Sequence, residues 1–231
     1  MIGKFLTWVD ERERQWRRSF GRDLATPAGR RAAVLHYHLF DHAFLRVFWT
    51  NFAEIAPGVY RSNQPTHARF RKYRDMGIRT VINLRGTSDQ ASYLFEKESC
   101  EALGLTLVNA RTWARKPAPR ENLLVMIEAM RRAEGPFLFH CKSGADRAGF
   151  AAATYLMVFH GAPVAEAKKQ LSWRYVHLKS TATGVQDYIL EIYEARLARG
   201  AIPFEAWIER EYDDKAIRAA FEARRPAAEL A

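Results

Sequence analysis

The sequence predicts an α/β fold, with a central, mostly parallel sheet flanked by helices, a helical N-terminal extension and a helical C-terminus. The first observation is that short apolar strand patterns alternate with amphipathic helical patterns over residues 55–160, an order that builds parallel sheets. The second is that only helical patterns occupy residues 1–50 and the chain after residue 160. We therefore expect an extension over residues 1–50 and one domain over residues 51–231 that includes the C-terminal helices.

The first 50 residues predict two helical segments. In the first, Trp8 and Trp16 stand among several arginines, and the second, residues 32–52, is nearly all apolar or aromatic. Packing against the domain is the expected role of these segments, because an apolar helix face is normally buried against other structure. Contact with a membrane surface is the alternative, because aromatic and basic side chains together are typical of interfacial helices.

Two histidines of the second segment, His38 and His42, have the spacing of metal ligands on a helix. No carboxylate or further ligand completes a metal site beside them. We therefore expect structural histidines.

Strand and turn signals begin at residue 54. The stretch "EIAPGVYRS" predicts a short hairpin with a Pro-Gly turn, and "THARFRKYRDMG" predicts a helix that ends at Gly77. The stretch "IRTVINLRG" is β-branched and apolar, as in a strand buried on both faces. An amphipathic helix that ends at Gly104, "DQASYLFEKESCEALG", and a further strand, "LTLVNA", follow.

The next helix, "PRENLLVMIEAMRRAEG", has a proline near its start and a glycine at its end, as helices often do. The stretch "PFLFH" predicts the next strand, and "RAGFAAATYLMVFHG" predicts a buried helix. Three helix-rich segments complete the chain: "PVAEAKKQLS", "TGVQDYILEIYEARLARG" and "PFEAWIEREYDDKAIRAAFEARR".

Composition excludes several classes of protein. The chain has 231 residues, of which 48% are hydrophobic, so it can bury a core and global disorder is excluded. Two cysteines are too few for a disulfide scaffold and indicate a reducing compartment. The N-terminus lacks the apolar core of a signal peptide, and the longest apolar run is about half of the roughly 20 residues that span a membrane. We expect a cytoplasmic protein, with peripheral contact of residues 1–50 with the inner face of the membrane as the further option.

The net charge of +10 is concentrated in the middle of the chain. Residues 61–85 contain seven basic residues and one acid, and residues 102–120 contain four basic residues and no acid. Such a distribution favours anionic partners. Nucleic acid is not expected, because no recognition motif accompanies the charge.

The stretch "FLFHCKSGADRAGF", residues 137–150, places a cysteine and an arginine six positions apart. The loop between them follows a predicted strand and leads into a helix that begins near Arg147. In α/β sheets, ligands bind at the carboxyl ends of strands, where helix N-termini present free N–H groups. A five-residue loop between Cys141 and Arg147 can curl so that its backbone N–H groups converge on one anion, and Gly144 permits the turn.

This environment suits phosphoryl transfer. Backbone dipoles and the arginine favour the thiolate of Cys141, and a thiolate beneath a bound phosphoryl group is an in-line nucleophile. Arg147 can hold two phosphoryl oxygens and stabilise the transition state. A cysteine and an arginine at this spacing also occur by chance, and buried cysteines are usually inert. The preceding histidine, the internal glycine and the flanking strand and helix favour catalysis or phosphate binding.

The stretch "HCKSGADRAG" resembles the H-C-x5-R signature of the cysteine-dependent protein tyrosine and dual-specificity phosphatases. The stretches "GVYRSNQP" and "GIRTVINLRG" are similar to parts of the compact bacterial and fungal members, so that the resemblance covers roughly residues 54–175. It implies that Cys141 is the nucleophile, that Arg147 is the clamp and that His140 helps to tune the thiolate. The implied phosphate-binding residues are Lys142, Ser143, Gly144, Ala145, Asp146 and Arg147.

The resemblance implies a catalytic domain that hydrolyses a phosphate monoester through a cysteinyl phosphate and needs no metal or other cofactor. The substrate is expected to be a phosphorylated protein, or a phosphorylated lipid or inositol. A phosphate-recognition module that barely turns over is the alternative, because two features depart from the family.

The first departure is Ala148, where family members usually have a hydroxyl residue that assists the second step. The second is the general acid, which the family takes from an aspartate upstream of the cysteine, whereas residues 102–120 contain no carboxylate. Asp146 is the favoured substitute, Glu121 is an alternative, and the third option is that no acid exists. A missing general acid typically costs about 10²–10⁴ in rate.

Three further residues have two interpretations each. Cys100 is expected to pack in the core, and a redox partner of Cys141 is the alternative. Lys142 indicates either a strongly anionic substrate or a solvated side chain. Trp113 either stacks on the substrate or packs on the core.

Overall fold

The computed structural model describes residues 20–41 and 43–231, so the expectations for Trp8, Trp16 and His42 concern residues outside the described part. Five strands form one sheet in the order β1-β2-β5-β3-β4. The first pair is antiparallel and the other three pairs are parallel, which confirms the predicted α/β class with a mostly parallel sheet. The strands are β1 (Ala53–Ala56), β2 (Val59–Ser62), β3 (Thr80–Asn83), β4 (Thr106–Asn109) and β5 (Phe137–His140).

Helices connect the strands and continue to the C-terminus. In chain order the α-helices of the described part are α1 (Pro27–Leu39), α2 (His67–Asp75), α3 (Ala91–Leu103), α4 (Arg120–Arg132), α5 (Asp146–His160), α6 (Val164–Ala167), α7 (Val185–Leu197), α8 (Phe204–Arg210) and α9 (Asp214–Glu222). Short 3₁₀ helices lie at Ala43–Val47, Lys168–Gln170, Trp173–Tyr175, Ala182–Gly184 and Ala227–Glu229. Every strand and helix predicted between residues 54 and 160 is present.

Two segments predicted as continuous helical stretches are divided. The apolar segment 32–52 breaks after α1, where the side chain of Asp41 forms an ion pair with Arg46 and the Asp41 carbonyl accepts a hydrogen bond from the same arginine. The last predicted segment breaks between α8 and α9, because Asp213 caps α9 by accepting hydrogen bonds from two backbone N–H groups.

The sheet separates two apolar layers. The larger layer contains the buried side chains of α4, α5 and α7, and the smaller layer contains α2 and α3. Successive strand residues point to opposite faces, so Ile82 belongs to the larger layer while Val81 belongs to the smaller one. The run of small residues that opens α5 lets this helix approach its neighbours closely, since a Cβ on Gly149 would lie 2.7 Å from the carbonyl oxygen of Gln170.

The described part of the N-terminal extension packs on the smaller layer. Ala33 and Tyr37 of α1 are buried with Ala91 of α3, and the rings of Tyr37 and Phe95 meet edge to face. The division into an extension over residues 1–50 and a domain over residues 51–231 stays a prediction. Within the described residues, no helix is both long and apolar enough to cross a membrane.

The parallel strands end together, and this positions the site. In the register of the sheet, His140 is paired with Ser62 on one side and Asn83 on the other, and Asn83 is paired with Asn109. The loops that follow these strands therefore start from one row along the carboxyl edge of the sheet, where α/β proteins bind ligands.

Candidate active site

The loop after β5 curls around the sulfur of Cys141. The side chain of Cys141 is almost fully buried, and the N–H of Gly144 donates to its Sγ at 3.2 Å. Gly144 has a φ of +77°, and a Cβ there would lie 2.6 Å from the backbone nitrogen of Asn63. Both the conformation and the space therefore require glycine at this position.

Arg147, the second residue of α5, lies against this sulfur and donates to the Leu84 carbonyl at 3.4 Å. Burial lowers the pKa of Arg147 from its usual value, and the neighbouring Cys141 counteracts part of that shift. The Nε of Arg147 is buried and has no hydrogen-bond acceptor among the described residues.

A buried arginine of β2, Arg61, holds the loop from outside. Its Nη2 donates to the carbonyls of Gly144 at 2.7 Å and Ala145 at 3.2 Å. Its Nη1 donates to the backbone and side-chain oxygens of Gln170 at 2.8 and 2.9 Å, and its guanidinium lies 3.7 Å from the ring centre of Tyr175. Burial lowers the pKa of Arg61 to about 10, so the side chain stays cationic at neutral pH.

Two more donors act on the same loop. The side-chain amide of Asn51 bridges the carbonyls of Ser143 and Tyr175 at 2.8 and 2.9 Å, and the N–H of Gln64 donates to the Lys142 carbonyl at 3.3 Å. In a trans peptide the C=O and the next N–H point in opposite directions. The outward carbonyls of residues 142–145 therefore turn the N–H groups of residues 143–146 inward, as an anion-binding nest requires.

His140 is fixed by a buried acid. Its Nε2 lies 2.5 Å from Oε1 of Glu96, and Gln64 donates to the other oxygen of that carboxylate at 3.1 Å. The Nδ1 of His140 lies 3.3 Å from the carbonyl oxygen of Cys141. His140 thus contacts the backbone of Cys141, and its tuning of the thiolate stays a prediction.

Asp41, which follows α1, is a carboxylate beside the loop that three cationic side chains contact. Arg85 contacts both of its oxygens at 3.1 and 2.8 Å, Arg46 contacts one at 2.7 Å, and Lys142 lies 3.5 Å away. Burial alone would raise the pKa of Asp41, but the three cations outweigh it and lower the pKa to about 2. Lys142 is therefore directed at a carboxylate of the N-terminal extension, an arrangement that neither interpretation of this residue anticipated.

Asp146 begins α5 and is part of a buried chain of charges. Its Oδ1 lies 2.7 Å from Nδ1 of His177, and Nε2 of His177 lies 2.6 Å from Oδ2 of Asp187. Burial would lower the pKa of His177, but the hydrogen bonds to Asp146 and Asp187 outweigh it and raise the pKa to about 9. His177 is therefore cationic at neutral pH and donates to both carboxylates.

A cleft of about 420 Å³ opens onto the loop and brings several of the predicted residues together. Its lining includes Asp41, Trp49, Lys142, Ser143, Asp146 and Arg147. Glu121 is not among the lining residues, and it lies in the exposed first turn of α4. Asp146 is thus the candidate acid that the structure brings to the cleft, although no observation tests its role.

Cys100 lies in the smaller apolar layer with Phe70 and Val81, whereas Cys141 belongs to the larger layer. Burial raises the pKa of Cys100 to about 12, so it remains a thiol. This placement agrees with core packing and gives no support to a redox pair with Cys141.

Sequence reasoning missed the residues that surround the loop, four charged or titratable ones in particular: Asp41, Arg61, His177 and Asp187. An arginine inside the apolar strand "GVYRS" was the one local signal, because a buried guanidinium needs several acceptors. The other three lack any motif, since their partners lie at distant positions in the chain.

Strand order, loop and arginine together place the chain in the superfamily of cysteine-dependent phosphatases of the dual-specificity type. Residues 51–186 match the family model described as "Swiss Army Knife protein, DSP-PTPase phosphatase domain". This match covers more than half of the chain, and the chain belongs to that family. It is a phosphatase.

Two solved structures share the fold. The crystal structure of TpbA from P. aeruginosa has a TM-score of 0.50 and 21% identity, and the likeness covers 75% of this chain and 91% of that one. A putative phosphatase from Shewanella putrefaciens has a TM-score of 0.51 and 17% identity, with 63% and 90% covered. A search of curated proteins finds no match.

The buried histidine predicts a pH dependence of stability. The pKa of His177 is raised in the folded state from 6.5 to about 9, so its stabilising effect is complete below about pH 6.5 and is lost as the pH rises through about 9. We expect the difference in free energy of unfolding between the wild type and His177→Gln to shrink by up to about 3 kcal/mol over that range.

Urea unfolding at pH 6, 7.5 and 9.5 measures this difference. His160→Gln is the matched control, because His160 is exposed at the end of α5. A constant difference between wild type and His177→Gln at all three pH values would contradict the assignment.

Proposed function

We propose that the protein hydrolyses phosphate monoesters through a cysteinyl-phosphate intermediate. The observation that carries the proposal is the loop of residues 141–147, in which a buried sulfur accepts an N–H bond and faces an arginine. A phosphoryl group in this loop would have its oxygens on the inward N–H groups and the guanidinium, with the sulfur in line behind phosphorus.

In the first step, the Cys141 thiolate attacks phosphorus and the bond from phosphorus to the leaving oxygen breaks. Arg147 and the loop amides stabilise the charge on the phosphoryl oxygens. For this step Asp146 must carry a proton: the leaving oxygen takes it, and Asp146 returns to the carboxylate form that His177 binds.

In the second step, water attacks the phosphorus of the cysteinyl phosphate, the phosphorus–sulfur bond breaks and the thiolate is restored. Asp146 takes the proton from water and is ready for the next cycle. The placement of Asp146 supports both roles, because it lines the cleft while His177 holds its Oδ1. Among the described residues no side chain donates to its Oδ2.

The substrate class extends from phosphorylated proteins to phosphorylated lipids or inositols. The competing function is phosphate recognition with little turnover. It is motivated by Ala148, which is fully buried, and by the loop after β4, which contains no carboxylate.

Hydrolysis of p-nitrophenyl phosphate separates these functions. We expect wild-type turnover that vanadate inhibits, and a loss of at least about 10³-fold in Cys141→Ser, because a serine hydroxyl is not ionised at neutral pH. Cys100→Ser is the matched control and keeps its activity, since Cys100 packs on the other face of the sheet. Equal rates for wild type and Cys141→Ser would leave recognition as the function.

The role of Asp146 is measured by leaving-group dependence. We expect Asp146→Asn to slow hydrolysis of an alkyl phosphate by about 10²–10⁴, and that of p-nitrophenyl phosphate much less, because a good leaving group needs no proton. Glu121→Gln should change neither rate. Equal losses on both substrates would remove Asp146 from this role, and the selective loss in Glu121→Gln would transfer the role to that residue.

Replacing Ala148 by serine should accelerate the second step, because the family usually has a hydroxyl residue at this position, where it assists the departure of the thiolate. Rapid-quench measurement of the phosphoenzyme is expected to show a smaller trapped pool in Ala148→Ser than in wild type. Ala151→Ser is the control for a new hydroxyl at a buried position of the same helix. An unchanged or larger pool in Ala148→Ser would count against the assignment.

A further inference from the structure

A second space, which we call the basic groove, adjoins the active-site cleft. It has a volume of about 440 Å³ and shares Ala114, Arg115 and Arg147 with the cleft. Six cations line it: Arg85, Arg111, Arg115, Lys116, Arg147 and Arg218. A molecule held by Arg147 at the loop would therefore extend directly into this groove.

The positive charge of the groove is only partly neutralised. Arg85 is paired with Asp41, and Arg218 is paired at 2.8 Å with Glu222, the carboxylate that also lines the groove. The other three cations outside the catalytic loop, Arg111, Arg115 and Lys116, form no ion pair within residues 20–41 and 43–231. Cations that line one groove and have no carboxylate partner favour the binding of a multiply charged anion.

Neighbouring residues hold the side chains of Arg111 and Lys116 in place. A Cβ on Gly86, whose φ is +75°, would lie 2.7 Å from Cβ of Arg111, so the arginine stem rests directly on that glycine. The ring of Trp113 lies 5.3 Å from the guanidinium of Arg111 and 5.4 Å from the ammonium of Lys116. Their cation–π contacts with this one ring orient the two charges.

The backbone of the groove is fixed relative to Arg147. The N–H of Thr112 donates to the Leu84 carbonyl at 3.1 Å, the same carbonyl to which Arg147 donates. The side-chain amide of Gln186 donates to the Trp113 carbonyl at 2.9 Å. These bonds preserve the spacing between the catalytic arginine and the cations of the groove, which lowers the ordering cost of binding a ligand that spans both.

A buried hydroxyl supplies an independent observation. Thr112 lines the groove and is only 5% exposed, yet its Oγ1 has no hydrogen-bond partner among the described residues. An unsatisfied buried polar group costs about 1–3 kcal/mol. A phosphate oxygen bound deep in the groove would accept the hydrogen bond that this hydroxyl can donate once the groups that cover the oxygen move aside.

We propose that the basic groove binds a second phosphate of the substrate, so that the enzyme acts on compact molecules carrying at least two phosphates. This inference rests on the proposed function, since Arg147 holds the phosphate that is cleaved. The shared chemistry is a polyol bearing phosphates on neighbouring carbons, either free in solution or as the headgroup of a lipid.

The test compares kcat/KM on four probes: p-nitrophenyl phosphate, inositol monophosphate, free inositol trisphosphate, and the same trisphosphate headgroup on a lipid in phosphatidylcholine vesicles. For wild type we expect at least about a tenfold preference for the trisphosphate over the monophosphate, because each charged hydrogen bond contributes about 1.5–3 kcal/mol. The faster of the last two probes identifies the source of the headgroup, and either result supports the groove.

The decisive variant is Arg111→Gln with Lys116→Gln. We expect it to lose about 10–100-fold on the trisphosphate probes and less than about twofold on p-nitrophenyl phosphate. The matched control is Arg71→Gln with Lys72→Gln, which removes the same charges from exposed positions of α2. Equal losses on all probes, no loss at all, or the same loss in the control variant would overturn the inference.

Binding to the inactive Cys141→Ser protein keeps the test separate from the proposed function. If wild type fails to hydrolyse p-nitrophenyl phosphate, the proposed function fails. The groove is then tested by itself, through the affinity for inositol trisphosphate that calorimetry measures. Affinity that falls about tenfold or more when Arg111 and Lys116 are replaced supports a second phosphate site. Equal affinities with and without those two cations overturn it.

Discussion

The rest of the site depends on the hydrogen bonds that hold the carbonyl groups of residues 142–145 pointing out of the loop. A free loop would hydrate these oxygens and sample many conformations, whereas Arg61, Asn51 and Gln64 bind them from three sides. Peptide planarity then determines where the N–H groups point. The orientation of the nest is thus built by side chains outside the loop. A buried cation is tolerated in Arg61 because it donates to four oxygens and lies on an aromatic ring.

The two halves of the site use opposite kinds of charge compensation. At the loop, the positive groups face a sulfur and leave room for an incoming anion. Around the loop, carboxylates are bound as fully as possible: Asp41 contacts three cations, and Asp146 and Asp187 share one histidinium. Both clusters are largely buried, so removing a single member leaves an unpaired charge, which is far more costly than the loss of a surface ion pair.

Local patterns explain why the strands, the helices and the position of the loop between Cys141 and Arg147 could be predicted. The strand "PFLFH", the glycine of the loop and the arginine of the next helix lie within twelve consecutive residues, so this part of the site can be recognised from the sequence alone. The contacts of Arg61 with Gln170 and of Asp146 with His177 join residues far apart in sequence. The tertiary path of the chain over the sheet brings these partners together, and a local hydrophobic pattern does not predict that path. The breaks near Asp41 and Asp213 were missed for the same reason, because a carboxylate there serves tertiary ion pairing or a cap that competes with helix continuation.

The ion pair between Asp41 and Lys142 means that the residues around the loop extend beyond the N-terminal boundary of the family domain. The family match begins at residue 51, yet a carboxylate ten residues earlier contacts Lys142 in the loop that carries Cys141. A substitution at Asp41 would therefore change the charge around that loop from outside the matched domain. Replacing the extension would alter the electrostatics around Cys141 without changing any residue of the domain that the family model covers.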